Sequence, residues 1–349
     1  MKQASGDGST SAQAGRDLIV VQGNSLSEVQ EFVREAIAAN ALEMRKVAAE
    51  VFDERVGLFS EKLVERAVDN PELVSATSDP DMQSVLIDAG LGFARSGDED
   101  LADILVDFLA DRSKEEPRSL LAVVINDAVV TAPKLTDGEI AILTLYWRLV
   151  LTVNHAVNSP QALADFVRTD IVPLVPFLPR GEASYLHLQS LGCAIDQVMS
   201  APFSTLWSSA YNALFTRGFA EADIPEDIYQ AIMDSSLTMP HMRDPSLLQF
   251  SALNSEILSD MAKGTPAEVH LSEIDSFMQS RSMDAAEVET LLGEIDPRMV
   301  ELAELWEVTP MKSLRLSAVG IAIAHANWRH LTGGTSPLSI WISDEGPSQ

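Results

Sequence analysis

The chain has 349 residues, 46% of them apolar, and sets 52 acidic against 24 basic side chains for a formal charge of −28. That field repels polyanions and no run of Lys or Arg offsets it, so nucleic acid is excluded as a partner. Cys193 is the one cysteine, which excludes an intrachain disulfide and a thiolate metal cluster and fits a reducing, cytoplasmic setting.

The chain opens on GDGSTSAQAGRDLIVVQG, residues 6–23, a β-type leader in front of a helical protein. Two short strands, 9–14 and 17–21, are expected, with Gly15 at the corner where positive φ is needed. Such a pair is marginal in water by itself. It is expected to pair between copies, with Gln13 bonding across, Arg16 and Asp17 forming ion pairs, and Leu18 and Val20 covered. No basic region followed by an apolar stretch precedes it, so no signal peptide is read.

Ser25 and Glu28 form a capping box that opens a long helix, expected over about 26–69. Val29, Val33, Ile37, Ala41, Met44, Ala48, Phe52, Val56, Phe59, Leu63 and Ala67 recur about every 3.8 residues, which favours a straight or right-handed coiled-coil assembly. A helix of that length runs roughly 65 Å. Its stripe needs partner helices, from this chain or from a second copy.

Shorter helices follow. Ser96 with Glu99 is expected to open DEDLADILVDFLADRSKEE, and an apolar helix is expected over 118–130. Thr136 with Glu139 is a capping box, and Ser159–Pro160 places Pro at a first helical position. The prolines of VPLVPFLPRGEAS break regularity and suggest a boundary between halves. Helices are expected at 182–200, 203–217, 225–236, 246–262, 273–281, 284–292 and 297–306, that at 284 opened by Asp284 with Glu287. Phe203, Trp207, Tyr211 and Phe215 read as a core stripe. Near the end a short strand closes at Leu316, Ser317 caps a helix stopped by Gly333, and PLSIWIS reads as a strand with Leu338, Ile340 and Ile342 on one face.

The fold class is therefore mainly α: a multi-helix body with a long N-terminal helix and short β segments at about 9–21, 314–316 and 338–342. The expected organisation is an assembly leader at 1–24, the long helix at 25–70, a helical domain at 71–175, and a second helical region with a small β element at 176–349. No window reaches the roughly 20 apolar residues of a membrane span, since Asp127 and Arg148 interrupt the two most apolar ones.

Chemistry-bearing motifs are few. No histidine pair has zinc spacing, and no glycine-rich phosphate loop or nucleophile elbow occurs. Cys193 lies in apolar LHLQSLGCAIDQVM and reads as a buried, inert thiol. Asp103, Asp107 and Asp111 stack at i, i+4, i+8 on one helix face; they read as the wet side of an amphipathic helix, or else as carboxylates for a divalent cation. His325, Asn327 and Arg329 form a second polar group, in which His325 reads as a satisfied histidine at the core edge. No cofactor is called for.

The leader, the segment DLADILVDFLADRSKEEPRSLLAVVINDAVVTAPKLT, and LRLSAVGIAIAHANWRHLTG followed by LSIWI together resemble an uncharacterised bacterial family of about this length. The resemblance implies no activity and no catalytic residue. The leader also resembles Gln-Ala-Gly-Arg-Asp segments heading otherwise unrelated bacterial proteins, some connected with phage defence, and a portable segment of that kind implies an assembly device. The expected function is a non-enzymatic homo-oligomeric scaffold or sensor, associating through Gln13, Gly15, Arg16, Asp17, Leu18, Val20, Val29, Val33 and Ile37. The alternatives are an effector enzyme using the aspartates or the His325 group, and a module that binds an unidentified basic protein through its acidic surface.

Overall fold

The computed structural model describes residues 26–197 and 201–343, without the side chains of residues 26–45 and 47. The leader, Ser25 and the side chains of Val29, Val33 and Ile37 therefore lie outside the described residues. By contacts the chain divides into residues 1–54 and 55–349. The first helix, α1, is Leu26–Asp69, and the first unit ends within it.

From Arg55 onward the protein is mainly helical, with a few short antiparallel strands. The next helices are α2 (Pro71–Ala76), α3 (Pro80–Ser96), α4 (Glu99–Arg112), α5 (Leu120–Thr131) and α6 (Asp137–Tyr146). Local chemistry sets their ends. Thr136 and Glu139 make the expected capping box: the Glu139 backbone N–H donates to Thr136 Oγ1 (3.3 Å) and the Thr136 N–H to Glu139 Oε2 (2.8 Å). The Ser96–Glu99 box is not formed. Ser96 ends α3, and Asp98 caps α4 by accepting from the N–H groups of Asp100 and Leu101, because Gly97 turns the chain at φ +68° between them.

Then come α7 (Pro160–Phe166), capped by Ser159; α8 (Glu182–Ser190); β1 (Ala194–Asp196); and α9 (Phe203–Ala210). The expected helix over 182–200 stops at Ser190, since Gly192 sits at φ +71° and the residues after it pair as a strand. The proline-rich stretch forms a 3-10 segment, Val172–Phe177, with Val172, Leu174 and Val175 buried.

Next are α10 (Glu226–Asp234), β2 (Thr238–Pro240), β3 (Leu248–Phe250), α11 (Ser255–Ala262) and α12 (Leu271–Ser280). The start of the expected 246–262 helix is thus β3, paired antiparallel with β2. The chain closes with α13 (Ala285–Ile295), α14 (Arg298–Val308), β4 (Leu314–Leu316) and α15 (Ala318–Thr332). The Asp284–Glu287 box forms as expected, and Gly333 ends α15 at φ +69°.

β4 pairs antiparallel with β1, Ala194 opposite Leu316. The Ser317 N–H donates to the Cys193 carbonyl, and the Ser317 hydroxyl accepts from the Gly320 N–H. The expected strand at 338–342 is instead a 3-10 turn, Leu338–Ile340. Leu338 and Ile342 are each 4% exposed while Ile340 is 63% exposed, so burial follows a one-turn spacing of four residues instead of the alternation of a strand.

One apolar core runs from Phe59 to Ile342 and draws on both sides of the proline-rich stretch. Phe203, Trp207, Tyr211 and Phe215 all belong to it. A second, smaller core gathers Phe219, Ile228, Ile232, Phe250, Leu258 and Ile274. Its segment is closed at the base, where Thr216 bridges Ser282 and the Arg217 N–H donates to the Arg281 carbonyl at 2.6 Å. It is a small module inserted into the helical body, between α9 and α13.

Candidate functional site

The two polar groups singled out in the sequence meet. On α4, Asp103, Asp107 and Asp111 are met by cations from α1 and α15. Lys62 Nζ lies 2.6 Å from Asp103, Arg66 pairs with Asp107, and Arg329 reaches Asp111 at 2.5 Å and Asp107 at 3.7 Å. Lys114 adds a contact to Asp111 at 3.6 Å, and His330 lies 3.2 Å from Asp100 and 3.9 Å from Asp103. The stripe is the least buried side of α4, with the Asp103 side chain 40% exposed, but it is roofed by bases and not left open to water. α4 buries residues nearly all round, so its acids face neighbouring helices and alternate with bases in an interhelical ladder. Burial pushes the Asp107 carboxyl above the usual carboxylate range, against the opposing pull of Arg329 and Arg66; desolvation outweighs two nearby cations there. Among the described residues no cluster of His, Cys, Asp and Glu is arranged to hold a metal ion.

Four residues before Arg329, His325 turns into the core. Its Nε2–H donates to the Ser336 carbonyl at 2.9 Å, and the ring packs against Trp147, Trp328 and Trp341 with centroids 5.2–5.9 Å away. Burial, with the Arg329 charge second, brings its pKa down to about 4, so at neutral pH it is an uncharged ring held by a carbonyl. Asn327 donates to Thr144 Oγ1 at 2.9 Å, also in the interior. Of the three, only Arg329 joins the aspartates. Cys193 is buried, and burial together with the Glu139 charge pushes its thiol up to about 11, which leaves it without thiolate at neutral pH.

A buried ion pair escaped the sequence reading. Arg148 Nε donates to Asp170 Oδ2 at 2.8 Å, Nη1 donates to Thr152 Oγ1 at 2.8 Å, and Trp328 Nε1 donates to the same Asp170 oxygen at 3.1 Å. The guanidinium carbon stands 4.8 Å from the Phe166 ring centroid and 5.3 Å from that of Trp328. Both charged residues lie in single π-helical turns, Trp147–Leu151 and Val167–Ile171, whose extra residue re-aims side chains inward. The available signal was Arg148 itself, a charge in the apolar run EIAILTLYWRLVLTV, where a lone base must find a buried partner.

A protein-family model whose description reads ":-like" matches residues 23–342. The chain belongs to that family. The match takes in α1, the aspartate ladder and the segment from α15 to Ile342, in keeping with the resemblance to an uncharacterised family. No curated protein and no solved structure matches the chain. Among the described residues, no helix of this family member is long and apolar enough to cross a membrane.

Proposed function

We propose that the protein is a non-enzymatic, homo-oligomeric scaffold or sensor whose copies meet through α1 and the leader before it. The observation carrying this reading is the outer side of α1. Val64 and Val68, one turn apart, are 66% and 79% exposed, while Phe59, Leu63 and Ala67 on the neighbouring side already pack on the core. Val56 and Leu58 add further uncovered apolar surface on the same helix. A pair of valines left this far exposed one turn apart, with further apolar surface uncovered around the same helix, is unusual for a helix that ends as a monomer's surface. A second copy suits it because a helix carrying the sequence stripe of Val29, Val33 and Ile37 calls for partner helices, and because the leader's β-forming residues need neighbours. The ladder of paired acids, the neutral buried His325 and the inert Cys193 favour a structural role for the interior polar groups.

The test is light scattering on three proteins: the full chain, a variant lacking residues 1–24, and Val64→Asp/Val68→Asp. The full chain is expected at a multiple of 37.9 kDa, and both variants at a lower mass with helical circular dichroism kept. A full chain that stays monomeric at micromolar concentration refutes the reading.

A further inference from the structure

A cleft of about 220 Å³ opens beside the inserted module, walled by Pro160 and Leu163 of α7, Leu214, and Leu291 and Ile295 of α13. Two guanidinium groups, Arg168 and Arg243, and the Glu294 carboxylate line the same space. Arg243 reaches out of the module and clasps the main body: one Nη donates to the Leu214 carbonyl at 2.6 Å, the other to the Thr216 carbonyl at 2.8 Å. Arg168 donates to the Ile295 carbonyl at 3.2 Å. Neither forms an ion pair among the described residues, unlike Arg112, Arg148, Arg217, Arg298 and Arg329. In a chain with 52 acids to 24 bases, a cleft lined by two guanidinium groups and one carboxylate, with no ion pair formed among them, is conspicuous.

The donor count points the same way. A guanidinium carries five N–H groups and no acceptor. Carbonyls take two of those on Arg243, and its contact at 3.6 Å to Met283 sulfur is a weak third; on Arg168 a carbonyl takes one. Burial works against the Arg243 charge, and the compensation comes from the fields of Glu294 and Glu287. A half-buried charge whose direct hydrogen bonds go to carbonyls, with its nearest carboxylates acting only through their fields, gains from a counter-ion in contact. Carboxylates and phosphates match two N–H donors of a guanidinium in the bidentate geometry that Arg favours.

We propose that this cleft binds a small organic oxyanion, a carboxylate or phosphate head on a short aliphatic body, with Arg168 and Arg243 on the head and Leu163, Leu214, Leu291 and Ile295 around the body. Glu294 opposes the head group and keeps affinity modest. The site lies at a seam between two packed bodies, where ligand clefts concentrate, and it does not depend on association through α1.

Isothermal titration of the full chain with hexanoate and with hexyl phosphate tests it, hexylamine serving as the control of opposite charge. Saturable one-site binding is expected for at least one anion and none for the amine, and the tighter anion identifies the head group. Arg168 is exposed, so Arg168→Ala is expected to fold with an unchanged melting curve and to bind about tenfold more weakly, the effect of losing a charge-assisted pair. Glu294→Gln is expected to bind more tightly. The proposal is overturned if neither anion saturates at millimolar concentration, if hexylamine binds as well, or if both variants bind as the native chain does.

Discussion

Lowering the pH from 7 to 5 should destabilise this protein through His325, by an amount the structure sets. The imidazole has an ordinary value of 6.5 and is brought down to about 4 by burial among Trp147, Trp328 and Trp341 and by the Arg329 charge. A histidine whose folded value is depressed is neutral in both states above 6.5, so it carries no penalty there. Below 6.5 the unfolded chain takes up the proton and the folded chain does not, so stability falls as pH falls and levels off below about 4. Linkage puts the loss at about 2 kcal/mol at pH 5 and about 3 kcal/mol once both forms are protonated. The measurement is urea unfolding at pH 7 and pH 5 for the native chain and for His325→Gln. Glutamine carries an N–H that can donate to the Ser336 carbonyl, as His325 Nε2 does, but it takes up no proton. Acid effects from carboxylates, Asp107 among them, cancel between the two proteins. The native chain should lose about 2 kcal/mol more than the variant between the two pH values. Equal losses would show that His325 is not the titrating group and that its ring is hydrated in solution.

Three further outcomes are expected. Gly320→Ala should cost about 2–3 kcal/mol in urea unfolding, since a Cβ there would fall 2.1 Å from the Cys193 carbonyl oxygen and force the start of α15 off β1. Asp170→Asn should cost about 3 kcal/mol or more by leaving Arg148 as an uncompensated buried charge, whereas Glu301→Gln, on an exposed pair with Arg180, should cost under about 1 kcal/mol. Cys193 should react with an aromatic disulfide reagent only as fast as the native chain unfolds, because its thiol is buried and its pKa is pushed up to about 11; immediate labelling at pH 7 would contradict that burial.

Local chemistry was legible along the chain wherever one or two neighbouring residues decide the backbone. The capping boxes at Thr136–Glu139 and Asp284–Glu287, the caps at Ser159 and Ser317 and the stop at Gly333 all formed where read, because each is a hydrogen bond or a φ preference within four residues. The helical class and the buried aromatic stripe from Phe203 to Phe215 followed from periodicity alone. What failed locally failed for want of a partner. Residues 194–196 and 248–250 are apolar enough for either period, and pairing with 314–316 and 238–240 makes them strands. PLSIWIS alternates like a strand, but with no strand beside it among the described residues it closes as a turn that buries Leu338 and Ile342.

The polar groups divide the same way. Spacing alone put Asp103, Asp107 and Asp111 on one face of α4 and made Cys193 a core thiol. Only the packing of α1 and α15 against α4 turned that acidic face into a ladder with Lys62, Arg66 and Arg329, and only two π turns aimed Arg148 at Asp170. Periodicity along a chain records which side of a helix a residue takes; it carries no record of what stands opposite. For charges the difference decides the chemistry, because a carboxylate's neighbours and its depth determine whether it is solvated, paired or free to bind.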